Sequence, residues 1–270
     1  LLDQLKEEIA TFKPPSKLEL TEIRVLLLGP IGSGKSSFYN TVNSVFRGRI
    51  SQRARCGTFA QGITTAYKPY TVSKQSGPRL QFQLCDTRGL EVSQGLDLLV
   101  CNFLLDGHVP EHYEFDPATP ITPESPGFIH KPGLADKVHC VLFVLEANTV
   151  DDLPTQLAVL LTKVDVAWTE VAENVSSVFR NTNVEKVVDT VAKLLGLPRH
   201  NVLPVKNYEN EVQLEAATSA LALLALRQAL NITEDFLEDV RDKRASTMAA
   251  QGRGSSFGSG GGEEEMMEIG

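Results

Sequence analysis

Gly29-Pro30-Ile31-Gly32-Ser33-Gly34-Lys35-Ser36 matches the pattern G-x-x-x-x-G-K-[ST], and phosphate chemistry accounts for each fixed position in it. Glycines let the backbone curl until successive N–H groups point at phosphate oxygens. A helix that follows such a loop adds its positive N-terminal end. Lys35 is placed to reach the β- and γ-phosphates, and the Ser36 hydroxyl to hold Mg2+. Pro30, Ile31, Gly32, Ser33 and Gly34 supply the cradle, and Ser37 can add a hydrogen bond to the α-phosphate. The flanks agree with this reading. Ile23–Leu28 is apolar except for Arg24, as in a strand buried on both faces. Residues 36–46 have helical spacing, with Phe38, Val42, Val45 and Phe46 apolar.

Working outward, Asp86-Thr87-Arg88-Gly89 gives D-x-x-G at the end of a second apolar run. A carboxylate at Asp86 can reach Mg2+ through a water, and the Gly89 N–H can meet the γ-phosphate. Between the first helix and this motif lie Thr58, Thr64 and Thr65. A threonine here can close over Mg2+ and the γ-phosphate; Thr64 is the first choice, with Thr65 and Thr58 as rivals. Further on, Thr162-Lys163-Val164-Asp165 follows an apolar run and fits [NT]-K-x-D. Asp165 can accept from both the N1–H and the exocyclic amino group of guanine. Adenine offers neither donor there and would leave a carboxylate unpaired. The Lys163 stem can lie over the ring face. Thr162 is shorter than the asparagine of this pattern, which leaves its bridge back to the phosphate loop open. Pro204-Val205-Lys206-Asn207 follows the last apolar run, and its backbone, with Lys206 or Asn207, could contact guanine O6.

The remaining sequence supplies the scaffold. Residues 1–12 read as an amphipathic helix ended by Pro14 and Pro15. Residues 67–72 and 80–84 read as a hairpin turned near Gly77 and Pro78, 96–105 as a helix, and 138–145 and 157–161 as buried strands. Residues 171–179 and 184–195 read as helices, 201–205 as a short strand, and 212–230 and 234–244 as two more helices. Between them, 107–136 carries Pro110, Pro117, Pro120, Pro123, Pro126 and Pro132 and has no period. A loop of about 30 residues is usually functional or disordered. From Ala245 the chain turns to Gly, Ser and Glu, a composition that cannot bury a core. The expected fold is α/β, a P-loop NTPase with a mostly parallel sheet of about six strands and helices on both faces, as in small G proteins. The expected divisions are a helical extension over 1–20, a G domain over 21–244 with its insert at 107–136, and a flexible tail over 245–270. One connection is short for a parallel crossover: only 146–156 separates the strands at 138–145 and 157–161. This suggests a helical segment missing near 154–156. The chain begins with Leu1, which suggests a fragment.

The stretch Arg24-Val-Leu-Leu-Leu-Gly-Pro-Ile-Gly-Ser-Gly-Lys-Ser-Ser-Phe-Tyr-Asn resembles the interferon-induced protein 44 and 44-like family. So do Cys85-Asp86-Thr87-Arg88-Gly89-Leu90, Val138-His139-Cys140-Val141 and Asp235-Phe236-Leu237-Glu238-Asp239. The resemblance covers roughly residues 20–239. It implies a cytoplasmic, guanine-nucleotide-binding protein linked to antiviral and innate immune responses. It also implies a further N-terminal TLD-type domain, absent here, and so an isolated G domain.

Composition narrows the partners. The formal net charge is −8, which argues against a broad nucleic-acid footprint or electrostatic docking to acidic lipid. Cys56, Cys85, Cys101 and Cys140 show no metal-ligand spacing, and a reduced, cytosolic compartment fits them. No apolar run approaches the roughly 20 residues of a membrane helix, and no secretory signal is visible. His108, Glu111 and His112 have helical metal-pair spacing, but Pro110 opposes a regular helix there. Leu90 stands where many G proteins place a water-orienting Gln, so turnover is expected to be slow or partner-dependent, with Arg88 as a possible finger. Four readings remain open: a GTP-dependent switch or scaffold, a GTPase that hydrolyses on self-assembly, a degenerate G domain serving interaction alone, and an ATPase if Thr162–Asp165 is a false match. A homodimer or a protein partner could use the threonine loop and the insert.

Overall fold

The computed structural model describes residues 1–54, 65–75, 77–89, 98–116, 118–147 and 158–254, the side chains of Leu98 and of 249–254 excepted. Among the described residues six strands form one sheet: β1 (Ile23–Leu28), β2 (Lys68–Ser73), β3 (Arg79–Asp86), β4 (Cys140–Glu146), β5 (Ala158–Thr162) and β6 (Val202–Pro204), in the order β2-β3-β1-β4-β5-β6. All neighbours pair parallel except β2 with β3, the expected hairpin. Leu27 lies opposite Asp86, Leu28 opposite Phe143, Glu146 opposite Thr162 and Leu161 opposite Pro204. These registers bring the carboxyl ends of the parallel strands to one edge.

Alternation along β1 explains why both faces are covered. Val25 and Leu27 join a core cluster with Phe38, Val42 and Val45 of α2 (Lys35–Arg47) and Leu223 and Leu226 of α7 (Ala216–Gly254). Leu26 faces a second cluster with Val100 and Leu104 of α3 (Leu98–Leu105), and Leu28 a third with Val184, Val188 and Val191 of α6 (Thr182–Leu195). Residues one apart on a strand point to opposite faces, and each fully buried Val, Leu or Phe side chain contributes about 1.5–3 kcal/mol. The N-terminal α1 (Leu2–Thr11) buries Leu5 and Ile9 in the first cluster, and its Glu8 pairs with Arg227 of α7 at 3.1 Å.

Three expectations are corrected. The helix read over 171–179 is not continuous: α5 (Thr169–Glu173), which follows the short α4 (Val164–Ala167), ends at Glu173. The Asn174 side chain accepts from the Ser176 N–H at 3.1 Å and starts a 3-10 turn, Val175–Arg180. The two helices expected over 212–230 and 234–244 are one, α7, which also continues past Arg244 to Gly254. Thr233, at the expected gap, is buried and donates to the Ala229 carbonyl at 2.7 Å, so the helix passes through it. The insert at 107–136, expected as a loop without a period, packs against the core through several of its described residues. Val109, Phe115 and Ile121 are buried against Val100 and Leu104. His108 stacks on Phe128 with ring centroids 5.0 Å apart, its Nδ1 lies 2.7 Å from the Ile129 carbonyl oxygen, and Arg24 pairs with Glu111 at 2.9 Å.

Another insert contact reaches the threonine loop. Ala66 and Glu114 form an antiparallel bridge, and the Phe115 N–H donates to the Thr65 carbonyl at 2.8 Å. Thr58 and Thr64, Leu90, and the connection at 148–157 with its suspected missing segment lie outside the described residues. Among the described residues no helix is long and apolar enough to cross a membrane.

Candidate nucleotide site

The loop after β1 is shaped by what its neighbours leave room for. A Cβ on Gly29 would fall onto the Val144 carbonyl oxygen of β4, so only glycine lets β1 and β4 stay paired at this turn. Lys35 opens α2 and is buried. Its Nζ donates to the carbonyls of Gly29 at 2.9 Å and Pro30 at 2.7 Å, which anchors the ammonium over the loop. Burial lowers the Lys35 pKa to about 8, against the opposing pull of Asp86. A cation held so far from its ordinary value is under-solvated and attracts an anion.

Three other loops converge on this one from the same sheet edge. Ser36 Oγ donates to Asp86 Oδ2 at 2.6 Å, so two of the expected metal-site residues are already side by side. Gly89 is buried against the phosphate loop, where a Cβ would sit 2.7 Å from the Ile31 Cα and N atoms. Thr162 is fully buried. Its Oγ1 lies 2.6 Å from the Ser33 carbonyl oxygen and 2.9 Å from that of Leu145, and donates its one proton between them. The bridge left open for the shorter side chain is therefore made. Lys163 adopts φ 57° and its Nζ pairs with Glu146 at 2.6 Å. Asp165 sits in the first turn of α4, and its side chain makes no N-cap bond to that helix.

The loop after β6 is placed differently from expectation. Asn207 is buried and turned toward α2: its Nδ2 donates to the Gly34 carbonyl at 3.4 Å, and its Oδ1 accepts from Thr41 Oγ1 at 3.3 Å. Its side chain braces the phosphate loop instead of reaching toward a base. Lys206 pairs with Glu211 at 2.9 Å and Glu215 at 3.8 Å. Burial lowers its pKa, but Glu211, Glu215 and Asp165 outweigh that and raise it. Asp165 and Lys206 therefore share one electrostatic neighbourhood.

The site also shows unspent polar capacity. Ser33 Oγ, Thr87 Oγ1 and Arg88 Nε are buried without a hydrogen-bond partner among the described residues. All three belong to the phosphate loop or D-x-x-G. Buried polar atoms without partners are uncommon and are costly to leave so. Two hydroxyls and a guanidinium N–H suit a phosphate-bearing ligand, and the oxygens of Ser36 and Asp86 suit a hard, oxygen-seeking cation such as Mg2+. Thr87 and Asn207 as a brace were not singled out by motif reading. The x positions of D-x-x-G carry no signal, and Asn207 follows only a weak pattern.

The strand order and the phosphate loop after β1 define a P-loop NTPase domain of the small-G-protein type. No family model matches the chain. Its sequence is 37% identical over 259 residues to human (Homo sapiens) interferon-induced protein 44-like, covering 88% of this chain and 57% of that protein. It is 34% identical over 259 residues to mouse (Mus musculus) interferon-induced protein 44, covering 89% of this chain and 61% of that one. The chain is thus a relative of the interferon-induced protein 44 and 44-like proteins, spanning about 57–61% of the length of these two. Among solved structures, a dimerization-deficient mutant of Toc33 from Arabidopsis thaliana is similar at 16% identity and a TM-score of 0.43, with 87% of this chain and 91% of that one covered.

Proposed function

We propose that this chain binds GTP or GDP with Mg2+, hydrolyses GTP slowly or only with a partner, and serves interferon-induced antiviral innate immunity in the cytoplasm. The observation that carries the nucleotide reading is the 2.6 Å bond between Ser36 and Asp86, beside an under-solvated Lys35. A bound magnesium nucleotide would supply the phosphate charge and the cation that this arrangement suits. Lys35, anchored by two carbonyls, keeps one of its three N–H bonds for a phosphate oxygen. Ser36 and Asp86 would hold the metal, with Thr64 as its further candidate. The backbone of 30–34, with Ser37 and Gly89, would cradle phosphates. Asp165 would select guanine, Lys163 would cover the ring, and Thr162 would hold the base-reading loop against the phosphate loop. The backbone near Lys206 and Asn207 would close the base pocket, with Lys206 adding positive charge.

Slow turnover follows from chemistry. Leu90 has no group to orient water, and Arg88 is the remaining cation of D-x-x-G able to neutralise developing charge. A second reading, a nucleotide-gated scaffold with little or no turnover, is favoured by the bond from Phe115 to Thr65. It couples the insert to the loop that would close over a γ-phosphate, and gives a protein partner or a second copy a surface that changes with the nucleotide.

The interferon link is carried over from the names of the relatives, and the antiviral role from the family resemblance alone. The nucleotide reading is tested by calorimetric titration with GTP, GDP and ATP, with and without Mg2+. Tight, Mg2+-dependent GTP and GDP binding with weak ATP binding is expected. Equal affinity for ATP overturns the guanine assignment, and a brisk single-turnover rate for the isolated domain overturns slow turnover.

A further inference from the structure

Glu146 ends β4 and lies in register with Thr162, the first residue of T-K-x-D. Its Oε1 accepts from Lys163 Nζ at 2.6 Å, with both side chains only partly exposed. The same Oε1 lies 3.7 Å from the place a Cβ on Gly32 would take, so the carboxylate rests against the phosphate loop. Lys163 starts in a left-handed backbone conformation, φ 57°, beside Asp165. Its side chain therefore runs from the base-reading loop to the phosphate loop, and Glu146 is the post at the far end.

We propose that Glu146 is a positioning residue for guanine recognition. It pins the Lys163 ammonium at the phosphate loop and keeps the lysine stem stretched across the mouth of the site. This rests on the reading that the chain binds a guanine nucleotide. A lysine stem has four rotatable bonds, and ordering it on binding costs affinity that a pre-formed ion pair removes in advance. The pair also solves a charge problem. A carboxylate against a phosphate loop repels an anionic ligand, and Lys163 cancels that charge. The two residues are thus matched in charge: removing Lys163 alone takes away the cation that faces the Glu146 carboxylate beside the phosphates, whereas removing both takes away cation and anion together.

The test compares Glu146→Ala, Glu146→Gln, Lys163→Ala and the Glu146→Ala/Lys163→Ala double variant. Affinity for GDP and for inorganic pyrophosphate is measured by calorimetry in Mg2+. Glu146→Ala is expected to weaken GDP about fivefold, the scale of a partly exposed ion pair, and to leave pyrophosphate unchanged or tighter. Glu146→Gln, which keeps the shape and an acceptor oxygen, should fall between. Lys163→Ala should bind GDP more weakly than the double variant. Wild-type GDP affinity in Glu146→Ala, equal weakening toward GDP and pyrophosphate, or an undiminished Glu146 effect without Lys163 each overturns the proposal. An unaltered chain that binds no GDP overturns the guanine reading itself, a distinct result.

Discussion

Ser36 Oγ and Asp86 Oδ2 meet at 2.6 Å although 50 positions separate them in the chain. The meeting is imposed by β1 and β3, whose register sets Leu27 opposite Asp86. Two oxygens held this close by a sheet need no rearrangement to share a cation. Replacing Asp86 with Asn keeps the shape and removes the charge. We expect Mg2+ to tighten GDP binding to the unaltered chain at least about tenfold, equivalent to ~1.4 kcal/mol, and to have little effect on Asp86→Asn. Titrations with and without Mg2+ check this; an unchanged Mg2+ response would remove Asp86 from the metal site.

Lys35 gives the site a pH signature. Burial holds its pKa at about 8, below the ordinary lysine value near 10.4. Between these values the unfolded chain binds the extra proton and the free fold does not, so this group adds stability as pH rises through that window. A bound phosphate favours the charged form and raises the pKa. Nucleotide binding above about pH 8 should therefore take up a proton and weaken as pH rises. Calorimetry in buffers of different ionisation enthalpy counts that proton. Lys35→Gln should bind more weakly and lose this uptake, which separates the effect from ionisation of the nucleotide.

Asp165 makes a prediction about base identity. A carboxylate accepts two N–H bonds, whereas an amide accepts one and donates one. Guanine presents two donors on that edge, and xanthine presents one donor and one carbonyl. Asp165→Asn should weaken GDP about a hundredfold, the scale of losing a charged hydrogen-bond partner, and should favour xanthosine diphosphate. Competition between the two diphosphates measures it, and an unchanged preference would exclude Asp165 from the base pocket.

His139 sets a pH limit on the fold rather than the site. The Arg24 N–H donates to its Nδ1 at 2.9 Å, and its Nε2 lies 3.0 Å from the Leu134 carbonyl oxygen, an arrangement that fits the neutral ring. Burial lowers its pKa to about 4, with Arg24 adding to the effect against the bond to Leu134. The stability it contributes is complete above the ordinary histidine value near 6.5 and is lost as pH falls from there through about 4, up to about 3 kcal/mol. Thermal midpoints across this window should fall more steeply for the unaltered chain than for His139→Gln. Parallel curves would show that His139 does not govern the acid limb.

The legible parts of this chain were those where local chemistry is self-sufficient. Gly29 to Ser36 demands a strand before it and a helix after it, and β1 and α2 take those places. Two helices are expected where α7 runs unbroken; the gap between them holds Asn231, Ile232 and Thr233, poor helix formers, yet no glycine or proline lies between Ala216 and Gln251. Packing of Leu230 and Leu237 in the core carries the helix through. The insert was illegible for a different reason. Its buried residues, Val109, Phe115 and Ile121, have no period, and their partners Leu26 and Cys85 are remote in sequence. Within the site, Glu146 carried no motif, and only the β4–β5 register brings it to Lys163.

The length of α7 carries it well past the core. Leu237 is its last fully buried apolar residue among the described side chains, and the helix continues to Gly254, about 25 Å further at 1.5 Å per residue. Its inner half packs on α2, the helix that begins at the phosphate loop. A tilt of about five degrees at that contact would sweep the outer end by about 2 Å over this length. A tilt of α7 at its contact with α2 would thus be largest at the far end of the helix.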